Sequence, residues 1–335
     1  MALNSEFKEI LEKEIAGVSQ SKLTYAAKEL SQRYRSPDRD ASNAFMTTEA
    51  HHLAYLAVRL PGTYAAIKRV LHEVNNRMAQ ASIKSVLDVG AGPGTASWVA
   101  AGCFSKLQKV TLLEQDAGWF TIGKRMMRAA STKVLQTAEW HQRGQLKASE
   151  FPKHDLVIMS YVVGEIPLDL LPALISEGWA ATGQIMVVIE PGTPHGFERI
   201  RQIRQQLIDS GAQIIAPCPH AGKCPMEKND WCHFAERLER SVFHMAIKDV
   251  CLSYEDEKYS YIAVAKTPVV LPESRILRHP QKHKGHIGFT LCAQNGLEQK
   301  IISKKLGDLY KQSRKLEWGD VFPPETIEED FDESC

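Results

Sequence analysis

The sequence predicts an α/β fold in which helices cover both faces of a Rossmann-like parallel sheet. Short continuous apolar runs, such as residues 86–89, recur between segments of helical length. This alternation is typical of parallel strands that are buried on both faces. A glycine-rich turn follows the first run, at the position where such sheets bind ligands. The chain has 335 residues, enough for one large domain with appendages.

Composition and charge exclude several classes of protein. The chain has 41 Lys+Arg against 40 Asp+Glu, which excludes a uniformly basic nucleic-acid binder but leaves room for a local basic patch. No apolar run approaches the roughly 18 residues of a membrane span, so we expect no membrane partner. Seven cysteines are too few for a disulfide scaffold. The first residues resemble neither a signal peptide nor an organelle presequence, so we expect a cytoplasmic protein.

The sequence pattern divides the chain into four parts. Residues 1–80 have helical spacing of apolar residues and form a predicted N-terminal helical cap. Residues 81–266 form the predicted sheet domain, and within it residues 216–240 are a Cys-rich insert without periodicity. Residues 267–322 form a small basic module with β patterns, and residues 323–335 form an acidic tail that we expect to be disordered.

Local signals set the expected elements within these parts. In the cap, the Pro61-Gly62 pair predicts a break, with a new helix that begins near Thr63. In the basic module, residues 286–292 and 297–303 predict a hairpin with a turn at Asn295-Gly296. Five further apolar runs predict strands of the sheet domain, beginning at Lys109, Lys133, Asp155, Gln184 and Lys258.

The glycine-rich turn reads Asp88-Val-Gly90-Ala91-Gly92-Pro-Gly94 and lies between a strand and a helix. Glycines let the backbone turn tightly and approach a ligand without a Cβ in between. The spacing differs from that of the dinucleotide-binding fingerprint. It resembles the loop of the seven-strand methyltransferases that binds S-adenosyl-L-methionine (SAM). A plain Rossmann turn, in which Asp88 supports a helix, is the alternative.

A second acidic residue is expected at the end of the next strand, where it would accept hydrogen bonds from ribose hydroxyls. Glu114 lies 20 residues after Gly94 and fits that position. Asp116 is the alternative if the strand ends two residues later. Ser160, at the end of the fourth strand, is expected to face the cofactor, because ligands lie beyond the carboxyl ends of parallel strands.

The catalytic group is unassigned. The loop after Ser160 lacks the Asn/Asp-Pro-Pro-aromatic box that base-amino methyltransferases use, and it lacks the Pro-Cys nucleophile of carbon-5 cytosine methylation. Tyr161 and Glu165 are the nearest candidates. Each could equally serve in loop packing or helix capping.

The insert holds Cys218, Cys224 and Cys232 in a C-x5-C-x7-C arrangement. Three cysteines this close in a cytosolic chain favour metal binding over disulfides. The gaps are longer than those of structural zinc knuckles, and prolines follow the first two cysteines as in ferredoxin runs. An iron–sulfur cluster is therefore preferred over zinc. A fourth ligand is needed, and Cys292 is preferred because we expect Cys251 to end a strand; the candidates are Cys292, Cys251, His220 and His233.

The C-terminal module carries ten basic residues between positions 275 and 315, opposed only by Glu298 and Asp308. Such patches attract phosphate backbones, and the nearby histidines with Tyr310 favour RNA over a merely solvated basic face. The basic residues are Arg275, Arg278, Lys282, Lys284, Lys300, Lys304, Lys305, Lys311, Arg314 and Lys315.

Together, the glycine loop, the Asp-Trp-Cys-His-Phe segment at 230–234 and the Trp-Gly-Asp segment at 318–320 resemble the methyltransferase-like assembly factors of the mitochondrial small ribosomal subunit, and more closely the bacterial members of that group. The resemblance implies SAM binding through Gly90, Gly92 and Glu114. It implies contact with small ribosomal subunit rRNA, and with ribosomal proteins, in assembly or translation. It also implies a 4Fe-4S cluster on four cysteines, which map to Cys218, Cys224, Cys232 and Cys292.

Three functions are therefore compatible with the sequence. The first is a SAM-dependent methyltransferase that acts on small-subunit rRNA. The second is a non-catalytic, RNA-binding assembly factor on the same fold. The third is a methyltransferase of a small molecule or a protein that contains structural zinc.

Overall fold

The structure is a computed structural model that describes residues 3–35, 46–142, 151–227 and 229–324. The predicted acidic tail from residue 325 onward lies outside the described residues. Four helices precede the sheet, and within the described ranges no helix is long and apolar enough to cross a membrane. These helices are α1 (Ser5–Ile15), α2 (Gln20–Arg35), α3 (Glu49–Val58) and α4 (Leu60–Arg77).

The main sheet follows the order β3-β2-β1-β4-β5-β8-β6. Strands β1 to β5 pair in parallel, whereas β8 is antiparallel to β5 and to β6. This mixed sheet is Rossmann-like, as the sequence predicts. Its strands are β1 (Ser85–Val89), β2 (Lys109–Glu114), β3 (Glu139–Gln142), β4 (His154–Ser160), β5 (Thr182–Pro191), β6 (Gln213–Ala216), β7 (Phe234–Glu239) and β8 (Tyr254–Ala265).

Strands β6 and β7 are two pieces of one interrupted sheet edge. Both run antiparallel to β8, with Ala216 opposite Ala263 and Phe234 opposite Tyr259. The chain therefore leaves the edge of the sheet after Ala216 and rejoins the same edge at Phe234. The expectation that residues 216–240 have no periodicity is wrong for β7, which pairs with β8 along its whole length, from Phe234 to Glu239.

In the part of the chain that the structure describes, six α-helices lie between or beside these strands. The run at Lys133, predicted as a strand, is helix α7, and β3 begins only at Glu139. A run of two apolar residues cannot distinguish a helix from a strand, and here it forms a single helical turn after Thr132. The helices are α5 (Thr95–Cys103), α6 (Ala117–Arg128), α7 (Lys133–Gln136), α8 (Leu171–Ala181), α9 (Pro194–Asp209) and α10 (Val242–Lys248).

The sheet has an apolar core on each face. Leu156 and Ile158 of β4 belong to the core that packs against the N-terminal helices. Val157 and Met159 belong to the opposite core, beneath α8 and α9. Successive side chains of a strand alternate between faces, so a continuous apolar run is what a strand covered on both sides requires.

The cap contains a break between α3 and α4, but its position differs from the prediction. Only Arg59 separates the two helices, and Pro61 lies in the first turn of α4. Proline is well tolerated there because its missing N–H would have no helical partner. The helix therefore begins at Leu60, and the predicted start near Thr63 is three residues late.

The C-terminal module has a small sheet and a core of its own. The predicted hairpin is confirmed, although its two-residue turn is Gln294-Asn295, since Ala293 pairs with Gly296. Phe289 and Phe322 are central to the core. The elements are β9 (Ser274–Ile276), β10 (Gln281–His283), β11 (His286–Ala293), β12 (Gly296–Ser303), α11 (Asp308–Ser313) and β13 (Val321–Phe322).

Arg275 joins this module to the rest of the chain. Its side chain is 2% exposed, and it donates to Glu73 of α4 at 2.7 Å, to the Pro217 carbonyl at 3.0 Å and to the Gly319 carbonyl at 2.8 Å. Burial raises the pKa of Glu73, but the guanidinium groups of Arg275 and Arg77 outweigh this effect and lower it to about 2. Arg275 is therefore a structural ion-pair partner and does not belong to the exposed basic surface.

Candidate cofactor sites

The glycine-rich turn leaves one open position. Gly90 and Gly92 have φ angles of +67° and +56°, in the region that favours glycine. A Cβ on Gly90 would lie 2.2 Å from Cγ2 of Val162, so the backbone is tightly packed there. A Cβ on Gly92 would meet no atom within 4 Å. A ligand could therefore approach the backbone at Gly92, while Gly90 and Gly94 are covered by protein.

Glu114 lies directly beside Gly92. Its Oε2 accepts from the Gly92 N–H at 2.6 Å, and its Oε1 accepts from the Asp116 N–H at 2.8 Å. Burial raises the pKa of Glu114, and these backbone hydrogen bonds oppose the shift. The structure thus brings together the predicted loop and the predicted ribose-binding carboxylate at the ends of β1 and β2.

The alternative carboxylate, Asp116, is used elsewhere. It caps α6 by accepting from the Trp119 N–H at 2.8 Å, and its Oδ1 lies 2.8 Å from Nε2 of His52. His52 in turn packs edge-on against Trp119. These contacts join α6 to the N-terminal cap, so Glu114 is the better candidate for a ribose contact.

Asp88 faces the protein interior. It is 1% exposed, and its Oδ2 accepts from the Ser97 N–H at 3.2 Å and from the Ser97 hydroxyl at 2.8 Å. Burial raises its pKa to about 7. In this position Asp88 holds the first turn of α5 against β1, which agrees with the alternative interpretation of this residue as support for a helix.

The loop after β4 is fixed by a contact that the sequence did not indicate. Tyr161 has a φ of +58°, its N–H donates to the Ile189 carbonyl at 2.8 Å, and its hydroxyl donates to Oε1 of Glu257 at 3.3 Å. Glu257, on β8, also lies 4.0 Å from a guanidinium nitrogen of Arg59 in the cap. Burial raises the pKa of the Tyr161 phenol well above its usual value, so this group remains a hydrogen-bond donor.

A second buried carboxylate underlies the same loop. The carboxylate of Glu190 packs against Gly164: a Cβ on Gly164 would lie 2.7 Å from Oε2 of Glu190. Burial raises the pKa of Glu190 to about 8. Arg199 of α9 donates to the Val163 carbonyl at 2.7 Å, which fixes the single 3-10 turn that contains Glu165. Glu190 and Glu257 are site residues that sequence analysis missed: Glu190 follows an apolar run, and Glu257 lies within a charged run at the start of β8.

All four predicted cysteine ligands line one cavity of about 40 Å³, compared with roughly 10–15 Å³ for one buried water molecule. Cys218, Cys224 and Cys232 come from the loop between β6 and β7, and Cys292 comes from β11 of the C-terminal module. Burial, with the neighbouring sulfurs adding to it, raises the pKa of Cys232 well above its usual value and that of Cys292 to about 12.

The alternative fourth ligands have different surroundings. Cys251 is exposed and lies between α10 and β8; the expectation that it ends a strand is wrong, because β8 begins only at Tyr254. His220 lines the cavity, with Nε2 3.7 Å from Sγ of Cys292. His233 stacks on Trp231 and meets the edge of Trp318.

Among the described residues, the side chains around the cavity do not form a site for a single metal ion. Among residues 3–35, 46–142, 151–227 and 229–324, no three His, Cys, Asp or Glu side chains are close enough to hold one metal ion. Four thiols nevertheless surround one cavity, and the guanidinium groups of Arg204 and Arg275 line it as well.

The exposed basic surface of the C-terminal module is smaller than the sequence suggested. Arg275 is buried, and Tyr310, at 8% exposure, belongs to the core of the module and cannot stack on a base. Arg278 is half-buried and pairs with Asp230. The exposed basic residues are Lys282, Lys284, Lys300, Lys304, Lys305, Lys311, Arg314 and Lys315.

Comparison with known proteins gives one family. The profile described as "Mitochondrial small ribosomal subunit Rsm22" matches residues 49–323. Human "Ribosome assembly protein METTL17, mitochondrial" is 25% identical over 300 residues, which cover 82% of this chain and 63% of that protein. The Schizosaccharomyces pombe "Rsm22-cox11 tandem protein 2, mitochondrial" is 25% identical over 349 residues, which cover 87% of this chain and 45% of that protein. The chain thus spans less than two thirds of either relative.

Solved structures have only a distant likeness. Magnesium protoporphyrin IX methyltransferase from Synechocystis PCC 6803 with bound SAM has a TM-score of 0.41 at 14% identity, covering 75% of this chain and 99% of that one.

Proposed function

The chain belongs to the mitochondrial small ribosomal subunit Rsm22 family, and from this premise we propose that it is a SAM-binding, methyltransferase-like factor that acts on the small ribosomal subunit during its assembly. The observation that carries the proposal is the contact between Gly92 and Glu114 at the carboxyl ends of β1 and β2. Two curated relatives are named for ribosome assembly or for Rsm22, and their names support the ribosomal part.

In this proposal the chain's own groups bind and orient SAM. The open backbone at Gly92 receives the amino-acid moiety, and Ser160 lies at the end of β4, beside the same loop. The Glu114 carboxylate exchanges one of its backbone donors for ribose hydroxyls, an exchange that keeps a buried carboxylate hydrogen-bonded. SAM supplies a methyl group that is already activated by its sulfonium, so the protein needs chiefly to position an acceptor.

A non-catalytic factor is the second candidate, and one observation favours it. Tyr161 and Glu257 bind each other beyond the end of β4, where an acceptor group would have to be held. The phenol is kept protonated by burial and donates its hydrogen bond to this carboxylate. In this version SAM binding stabilises the fold, and methyl transfer does not follow.

One experiment distinguishes the two candidates. Titration calorimetry with SAM is expected to give stoichiometric binding to the full chain. Incubation with SAM labelled on its methyl group, together with small-subunit rRNA and then with small subunits that contain ribosomal proteins, tests transfer. Label in RNA or protein supports the enzyme, and binding without label supports the assembly factor. A folded chain that binds no SAM would refute both.

We also propose that Cys218, Cys224, Cys232 and Cys292 hold a 4Fe-4S cluster. Their shared cavity, together with cysteine gaps longer than those of structural zinc knuckles, favours a cubane over zinc. Thiolate is the usual ligand of such clusters. The cluster would link the loop between β6 and β7 to β11, and would thereby fasten the basic module, which we propose contacts rRNA, to the sheet.

Iron analysis tests the cluster. Protein purified without oxygen is expected to contain iron and inorganic sulfide and to absorb broadly near ~400 nm, as thiolate-held clusters do. Cys232→Ser is expected to lose the iron, whereas the matched control Cys251→Ser, at an exposed cysteine outside the cavity, is expected to retain it. Stoichiometric zinc without iron, or equal iron in both variants, would refute the cluster.

A further inference from the structure

A buried arginine contacts the cysteine cavity from α9. Arg204 is 3% exposed, and its Nε donates to Sγ of Cys218 at 3.3 Å. Its Nη2 donates to the carbonyls of His220 at 2.7 Å and Gly222 at 2.8 Å. One guanidinium therefore holds a sulfur and two carbonyls of the same loop.

The charge of Arg204 is directed at the cysteines and at no carboxylate. In the part of the chain that the structure describes, no Asp or Glu oxygen lies within 4.0 Å of its guanidinium nitrogens. The other arginines of the cavity differ: Arg275 pairs with Glu73, and Arg201 pairs with Glu198 at 2.7 Å. Burying an uncompensated cation is costly, so a negative group is expected opposite Arg204.

In the cluster proposed above, the four cysteine sulfurs would bind as thiolates and supply that negative charge. The four thiolates would carry more negative charge than the positive charge of the iron–sulfur core. One-electron reduction of the core would make the site more negative still. Hydrogen bonds to cluster sulfurs and local net charge are among the factors that set the reduction potential. A guanidinium that donates to a ligand sulfur stabilises the reduced form more than the oxidised one.

We propose that Arg204 is a positioning residue that fixes the Cys218–Cys224 loop and raises the reduction potential of the cluster. This inference depends on the cluster proposed above. Reduction takes one electron from an added reductant, such as dithionite, into the core; no bond breaks, and Arg204 stays protonated. Arg204 thus has a geometric role, which the rate of iron release measures, and an electrostatic role, which the reduction potential measures.

The test uses the full chain with its cluster and three variants. Arg204→Gln removes the charge, Arg204→Lys keeps the charge but loses the Nε donor, and Arg201→Gln is the matched control on the same helix. A dithionite titration followed by electron paramagnetic resonance gives the potential. Arg204→Gln is expected to disfavour reduction about tenfold, which is 59 mV for one electron. Arg204→Lys is expected to shift the potential less, and so is Arg201→Gln, because Glu198 already offsets the charge of Arg201.

Release of iron to a chelator gives the second readout. Both Arg204 variants are expected to lose iron about tenfold faster than the wild type, as is usual when a partner of a metal ligand is removed, with Arg201→Gln unchanged. If Arg204→Gln does not take up the cluster, the reduction potential and the release of iron are both measured on Arg204→Lys. Wild-type potential and wild-type release in the loaded Arg204 variants would overturn the inference. A wild-type chain without iron would instead refute the cluster itself.

Discussion

Replacing Gly92 by leucine is expected to abolish SAM binding while the chain stays folded. A side chain at this position meets no protein atom within 4 Å, so it would occupy the space beside Glu114 that the ligand needs. The positive φ of +56° adds a strain of about 1–2 kcal/mol, which a domain of this size can tolerate. Calorimetry is expected to report affinity lower by about a hundredfold or more.

Gly211→Leu is the matched control for this prediction. Gly211 has a φ of +82° and likewise meets nothing within 4 Å, but it lies in the turn between α9 and β6. The control carries the same backbone strain away from the site and is expected to bind SAM normally. Equal affinity in the Gly92 variant and the wild type would place the ligand elsewhere. A shared loss in both variants would mean that strain is responsible.

Replacing Arg275 by methionine is expected to lower the free energy of unfolding by about 3–5 kcal/mol, because it removes one of the two guanidinium partners of the buried Glu73 carboxylate. It also removes the donors to the Pro217 and Gly319 carbonyls. Urea unfolding, with limited proteolysis of residues 267–322, measures the effect. The matched control Arg278→Met breaks a half-exposed pair with Asp230 and is expected to cost less than about 1 kcal/mol.

The same ion pair predicts a dependence on pH. The folded-state pKa of Glu73 is lowered from 4.5 to about 2, so its contribution is complete above pH 4.5 and is lost as the pH falls toward 2. Arg275→Met is expected to remove part of this slope, because Arg77 still pairs with Glu73, and Glu73→Gln in the Arg275→Met background is expected to recover part of the lost stability. Equal destabilisation by the Arg275 and Arg278 variants would contradict the buried ion pair.

Features that depend on neighbouring residues were predictable from the sequence. The turn at Gly90, Gly92 and Gly94 is a local requirement for tight backbone geometry, and Glu114 follows at a spacing set by one helix and one strand. The hairpin β11–β12 was predictable because alternation and turn residues are adjacent in the chain. The helix at Lys133 was not, because a short apolar run carries no usable period.

Features that depend on distant pairing were not predictable. Tyr161 and Glu257 are separated by 96 positions, and only the antiparallel position of β8 brings them together. Arg275 and Glu73 are separated by 202 positions, so a count of basic residues placed Arg275 on the surface, where it does not lie. A charge count measures composition, whereas burial is decided by the tertiary structure.

The interrupted edge formed by β6 and β7 has a consequence for changes in the length of the loop between them. Both ends of the excursion are anchored on β8, at Ala263 and Tyr259, so only three residues of that strand separate departure from return. Loop-closure entropy grows slowly with length, by about 0.6 kcal/mol per doubling. An insertion or deletion within the cysteine-bearing segment therefore changes the closure entropy of one loop by a small amount and leaves the pairing of β1 to β5 unaffected.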